Sequence, residues 1–424
     1  MPPEAGRESS SQTPSRFWRI TSAGIFFQGG AAALDPNTIL AALVFGLTGS
    51  TAAVGAAAAI TRYGWLFPQI FVAYAAGGRR YRMPFYAVGA FGRAACLLGI
   101  AILLWFAAAI PGAMLVAAFF AMWTAYGFVS GIVAVPYNDI VGRTIPSNFR
   151  SRMLAVRFFG GGVLALAVAA MAHQILNRLD FYSGYGTLVL IAAVFMAVSA
   201  TCFVSAGEPA APVPARRDSG FAAFLRDGVT VLRQDRSFRM FVYVQWLAGV
   251  VSMALPFYIL QVSPDQAPAG FVAILLGAQT LGALLSNPLW GWWGDARGKL
   301  SLLALVSRLN AVAPAATLVW IAWGDGIPAL AWFVGVFFVL GAVGNGRTIA
   351  YLGYLMEISP DDRRPAYSGY FNALVAPAAL LPIVGAGIAA VASFSAVFAT
   401  ALIAALLQVV ALRFLTAPAA GRGR

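Results

Sequence analysis

Apolar blocks of membrane-spanning length, separated by short polar segments, run through the whole chain, and this feature closes off most folds. A helix needs roughly 20 apolar residues to cross a bilayer, and block after block reaches that length. A transmembrane β-barrel would show segments of about ten alternating residues, and no such alternation runs through the sequence. Hydrophobic residues make up 60% of the chain and charged residues only 10%. A soluble domain carries roughly 25% charged residues, so the charges here are too few to clothe a water-facing surface. The pattern predicts an all-α integral membrane protein of about twelve transmembrane helices.

The formal net charge of +13 invites a nucleic-acid partner, but the basic residues form no single stripe. They fall in small groups between apolar blocks, as the positive-inside rule produces, so the expected partner is the lipid bilayer and no nucleic acid. Cys96 and Cys202 lie in separate apolar blocks, and His173 is the only histidine. A structural disulfide, a histidine-based metal site and a resident cofactor are therefore not expected. The first apolar block is too long for a cleavable signal peptide and holds Asp35, Pro36 and Asn37.

Residues 1–16 are polar and read as a disordered cytoplasmic segment. Six apolar blocks occupy 17–206, the first from Phe17 to Phe45 ahead of a turn at Gly46–Ser50. Asp139–Arg152 and Asn177–Tyr185 read as loops. Residues 207–237 form a linker, in which Phe221, Phe224, Leu225, Val229 and Leu232 at helical spacing predict an amphipathic helix on the membrane surface. Six further blocks fill 238–415, and 416–424 is a basic tail. Alternate loops, from the N-terminus through 77–82, 143–152, the linker, Arg297 with Lys299, and Arg363 with Arg364 to the C-terminus, hold most of the basic residues, and the opposite loops hold only Arg178. Both termini should therefore face the cytoplasm, and the Arg-rich usage with short loops fits a bacterial inner membrane.

The two halves repeat weakly. Pro68 and Pro288 precede Arg79 and Lys299 at equal distance, and Pro146 with Arg150 matches Pro360 with Arg364. The stretch Gly291-Trp292-Trp293-Gly294-Asp295-Ala296-Arg297-Gly298-Lys299 has the form G-x-x-x-D-x-x-G-R/K. Gly291 and Gly298 permit close approach and a tight turn. Asp295 can cap the next helix or pair with a neighbouring base, acting as a conformational gate. With two six-helix halves, this stretch resembles the signature loop of the major facilitator superfamily, over nearly the whole chain. The resemblance implies a secondary transporter of two pseudo-symmetric halves, rocking about a central site. Three departures stand out: Ala75 replaces the acid in the first-half loop, helix 4 has no arginine from Met114 to Val135, and Gly160-Gly161-Gly162 lacks the Gly-Pro pair of the family's antiporters.

Asp35 lies fourteen residues before Gly49 and Arg62 thirteen after it. At about 1.5 Å per residue both sit roughly 20 Å from that turn, near mid-membrane. Charges there need partners or a watery cavity. They read either as a functional pair, binding substrate or exchanging a proton through Asp35, or as a lock between helices 1 and 2. By the resemblance, helices 1, 4, 7 and 10 line the cavity, which brings in Gln28, Asn37, Trp123, Tyr126, Gln245, Trp246, Tyr258 and Asn345, each with packing as the plainer alternative. Arg347 reads as an anion attractor or a snorkelling residue. Arg93 and Arg308 read as snorkelling, Arg157 as an anchor at the cytoplasmic end of helix 5, and Pro377 and Pro382 as kinks.

The expected function is transport of a small organic solute, anionic or carboxylate-bearing because deep arginines outnumber deep acids, coupled to protons, by a monomer. The alternatives are efflux of amphipathic compounds and a transport-inactive sensor or assembly factor. No recurring His, Cys or paired-acid cluster suggests an enzyme, and no Gly-Lys-Ser/Thr loop suggests ATP as the energy source.

Overall fold

The computed structural model describes residues 8–77, 79–145, 147–209, 220–262, 270–324, 326, 328–359 and 364–415. Within its helices some side chains, those of 8–14, 147–152 and Asp295 among them, lie outside the description. Ten helices among the described residues are long and apolar enough to cross a membrane, from Met83–Trp105 to Phe394–Phe414. Each buries only 28% to 61% of its most apolar window inside the protein. The remaining apolar surface would be prohibitive in water and is ordinary in lipid, where helices satisfy their own backbone.

Two expected spans are not among those ten. The first is split into α1 (Glu8–Ala32) and the short apolar α2 (Ile39–Thr48). The interruption follows from Pro36, which lacks an N–H and disfavours helix at the residue before it. The chain tightens there, with Leu34 N–H donating to Ala31 C=O and Asp35 N–H to Ala32 C=O. The turn after α2 forms as expected, with Gly49 in the left-handed region at φ 62° and its N–H on Phe45 C=O at 2.7 Å. The second is α3 (Thr51–Gly77), which carries Arg62.

The chain clusters into two compact units. Unit 1 comprises the chain to Asp35 and Gly64–Arg216, and unit 2 comprises Pro36–Tyr63 and Arg217–Arg424. Residues 36–63 thus group with the second half, and Gly55 shows why: a Cβ there would meet Pro382 C=O at 2.5 Å.

Unit 1 contains α1, the end of α3, α4 (Met83–Trp105), α5 (Gly112–Thr144), α6 (Ser147–Arg178) and α7 (Phe181–Ser205). Helix α1 packs on α6 and α7, and α4 on α5 and α7. Two expected loops are shorter than the sequence suggested. Helix α5 continues through Pro136 to Thr144, putting Asp139 and Arg143 one turn apart on its face. Helix α6 runs to Arg178, and Asp180 caps α7 through Ser183 N–H at 3.2 Å.

Unit 2 contains α2, the start of α3, α8 (Phe221–Gln234), α9 (Arg236–Ser252), α10 (Phe271–Ala296), α11 (Lys299–Leu309), α12 (Val312–Trp323), α13 (Ala329–Ile358), α14 (Arg364–Val375), α15 (Leu381–Val391) and α16 (Phe394–Ala411). Helix α9 packs on α16, α11 on α13, and α10 on α13. At the last crossing the backbones nearly touch, because a Cβ on Gly282 or Gly341 would collide with the facing carbonyls of Phe338 and Gln279. Gly64 and Gly131 make the corresponding crossing of α3 and α5 in unit 1.

The amphipathic helix forms as α8, and its last turn packs on unit 2. Val231 is buried in the unit 2 core, and Leu232 packs against it. Asp227 accepts from Tyr370 Oη at 2.5 Å, and Asp235 from Tyr367 Oη at 3.0 Å.

Candidate functional site

Helix α9 ends at Ser252, and two short 3-10 turns, Leu255–Phe257 and Ile259–Gln261, follow in place of continuous helix. Pro256 removes one donor from that stretch. The Ser252 hydroxyl donates to Ala248 C=O at 2.7 Å and accepts from Arg347 Nη1 of α13 at 2.5 Å. A cation at a helix C-terminus is favoured by the carbonyls that end there. Tyr351 follows Arg347 by one turn of α13, on the same face.

Arg62 belongs to this group. Arg62, Arg347 and Tyr351 act electrostatically on one another, and among the described residues no carboxylate joins them. Arg62 is exposed and Arg347 half-buried. Two like charges near enough to act on each other in a helix bundle are unfavourable by themselves and favourable around an anion that reaches both. Asp35, the expected partner of Arg62, stands half-buried in the interruption between α1 and α2, in unit 1, whereas Arg62 falls in unit 2.

The remaining expected residues divide by environment. Asn345 donates to Asn287 Oδ1 at 3.1 Å, tying α13 to α10. Trp246 Nε1 donates to Leu374 C=O at 3.1 Å. Gln245 is buried, and its Nε2 has no hydrogen-bond partner among the described residues. Tyr258 is 1% exposed, with its ring 4.8 Å from that of Phe398. Trp123 is likewise 1% exposed, stacked between Phe119 and Tyr126 at 6.2 and 4.8 Å. Gln28 is half-buried over Gly161, and Asn37 is half-buried.

In the signature-like loop, Gly298 has φ 84°, as a tight turn demands. Arg297 lies 4.2 Å over the Trp293 ring, and the Lys299 stem crosses Gly353. Gly291 is exposed, with nothing within 4 Å of its missing Cβ. The Asp295 side chain lies outside the described residues. Burial raises the Glu357 carboxyl while Lys299 pulls it down.

Three arginines part company. Arg308 is exposed, as a peripheral helix suggests. Arg93, expected to snorkel in the same way, is 4% exposed, with its Cζ 4.8 Å over the Phe27 ring. Arg157, expected to anchor a cytoplasmic end, turns inward and donates to Tyr137 Oη at 2.6 Å. In both, the direction about the helix axis, which depth along the helix does not fix, carries the side chain into the unit.

Sequence reasoning missed an ion-pair network in unit 1. Arg82 and Arg143 both pair with Asp139, and Arg143 Nη2 also meets Glu208 Oε1 at 2.6 Å. Glu208 accepts the backbone N–H of Arg82 at 2.8 Å and of Met83 at 2.6 Å, so it caps α4 from 125 residues away. The four-residue spacing of Asp139 and Arg143 was a usable signal, but nothing local marked Glu208.

No family model matches the chain. Uncharacterized proteins of Mycobacterium tuberculosis strain H37Rv and of Mycobacterium bovis are 25% identical over 266 residues, 61% of this chain and 50% of theirs. The chain spans about half the length of these curated relatives. A POT family transporter solved with a thioalcohol-conjugated peptide has a similar structure, with a TM-score of 0.70 at 12% identity over 95% of this chain and 94% of that one. A D-xylose-proton symporter follows at 0.69 and 14%, over 94% and 97%. A bacterial homologue of the iron transporter ferroportin, in an outward-facing state, scores 0.64 at 12%, over 94% and 98%. The chain shares its fold with these solved transporters.

Proposed function

We propose that this chain, with its major facilitator fold, is a secondary transporter of a small organic solute bearing a carboxylate or similar anionic group. The carrying observation is the group formed by Arg62, Arg347 and Tyr351, with an exposed arginine on an apolar helix and no carboxylate acting on it among the described residues. Charged side chains within a membrane are expensive and are kept for solutes, ions or partners. Tyr351 and Ser252 add hydroxyls beside the guanidiniums. The solutes named for the structural neighbours, a peptide conjugate and D-xylose, are of the same small organic class.

The chain works by alternating access as a monomer, with both termini cytoplasmic in a bacterial inner membrane, and has no enzymatic activity. Protons drive it through Asp35, whose place in a proline-interrupted helix suits a group that gains and loses a proton. The first half is residues 17–206 and the second 238–415, twelve spans in all, with residues 291–299 as a gate. The test is uptake of pooled organic acids into proteoliposomes under an imposed pH gradient. Saturable uptake of an anionic solute is expected, and Asp35→Asn removes its dependence on the gradient. A pool in which only neutral or cationic solutes move overturns the reading.

A further inference from the structure

We propose that Arg93 and Arg157, inside unit 1, hold a small monovalent anion of halide or carboxylate size. This site goes beyond the transport reading and does not rest on it. Arg93 reaches from α4 to lie over Phe27 of α1, 4% exposed. Arg157 reaches from α6 across α1 at Gly24, where a Cβ would collide with its side chain. Its Cζ lies 5.3 Å over the Tyr137 ring and 5.9 Å over Phe158, and its Nη1 donates to Tyr137 Oη. Gly24 and Phe27 lie one turn apart on α1, so the two side chains cross the same stretch of that helix, and the guanidiniums act on each other. The other titratable groups acting on Arg93 among the described residues are the phenols of Tyr86 and Tyr126, with no carboxylate beside them.

Both Nε atoms are buried without a hydrogen-bond partner among the described residues. A buried guanidinium is held by a counter-charge and by acceptors for its N–H groups. Ring faces supply weak attraction and accept no N–H in the guanidinium plane. One small anion supplies both requirements for both side chains, taking charge-assisted bonds from each. The aromatic walls, Phe27, Tyr86, Tyr126 and Tyr137, and the burial of Arg93 restrict it to a few atoms. Its source is either a free inorganic anion or the carboxylate end of a solute.

The test is thermal unfolding of the purified full chain in detergent, in gluconate buffer at constant ionic strength, titrated with chloride, bromide or acetate. The wild type is expected to gain stability saturably with halide. In Arg93→Gln and in Arg157→Gln the half-saturating concentration rises at least tenfold. Saturation by acetate but not by halide also supports the site and assigns it to a carboxylate. Gly24→Ala, which displaces the Arg157 stem, weakens the response without removing a charge, and stands in should Arg93→Gln fail to fold. Because Arg62 and Arg347 are themselves read as an anion site, the titrations are repeated in the double variant Arg62→Gln, Arg347→Gln. There a saturable gain that depends on Arg93 and Arg157 is expected to persist, so failure here is distinguishable from failure of the transport reading. The absence of any saturable gain over gluconate in the wild type overturns the proposal, as does an equal gain in both arginine variants.

Discussion

Each unit gathers two arginines among tyrosines, and the two gatherings are treated oppositely. In unit 1 the Arg93 side chain is enclosed, lying over Phe27, and Arg157 is bonded to Tyr137. In unit 2 Arg62 is exposed, and Arg347 is half-buried at the end of an interrupted helix. An enclosed pair admits only what is small and can remain. An accessible pair beside short 3-10 turns admits something that arrives and leaves, the requirement of a transported ligand. On the two proposals made above, the same residue type serves retention in one unit and exchange in the other.

The comparison breaks most easily at Arg347. Arg347→Ala removes a charge-assisted donor worth about 1.5–3 kcal/mol, which is roughly ten- to a hundredfold in uptake efficiency. The measurement is initial uptake rate against solute concentration, with the exposed Arg308→Ala as the unaffected control. A loss of similar size, in stability and not in uptake, is expected on the structural side of unit 1. Glu208→Ala takes away the acid that pairs with Arg143 and caps α4, and its side chain is 3% exposed. Breaking a buried pair of this kind costs about 3 kcal/mol of stability, read as a lowered unfolding temperature in detergent.

Next come the helix crossings, which both units share. Gly131→Ala and Gly282→Ala each force a methyl against a facing backbone and cost about 1–3 kcal/mol. Gly335→Ala, with nothing within 4 Å of the new methyl, stays within about 0.5 kcal/mol. Unequal costs at the two crossings would end the parallel between the units. The smallest effect belongs to Asp180, whose carboxyl the Ser183 hydroxyl and N–H hold below its ordinary value. A lowered folded value means the cap stabilises above the unfolded value and is lost as pH falls through the folded one. Asp180→Ala therefore lowers the unfolding temperature at neutral pH, and the two curves converge in acid.

Much of the fold was legible because bilayer thickness and apolar length leave few choices. The apolar blocks, the Gly49 turn, the start of α4 at Met83 and the amphipathic α8 all follow from local chemistry. Proline had two outcomes that spacing does not separate, interrupting helix 1 at Pro36 and being carried inside α5 at Pro136. Rotation about a helix axis was not legible. Arg93 and Arg308 looked alike in sequence, yet one is enclosed and the other exposed. The grouping of Arg62 with Arg347 joins residues nearly three hundred positions apart, and no local pattern marks it.

The most direct test of anion recognition by Arg62 and Arg347 compares uptake of a transported carboxylate with that of its amide isostere. It is made in proteoliposomes, in wild type and in the double variant Arg62→Gln, Arg347→Gln. The account predicts a strong preference for the carboxylate in wild type that collapses in the double variant, while uptake of the amide stays as it was. A preference that survives both substitutions would contradict it, because the charge would then be read elsewhere.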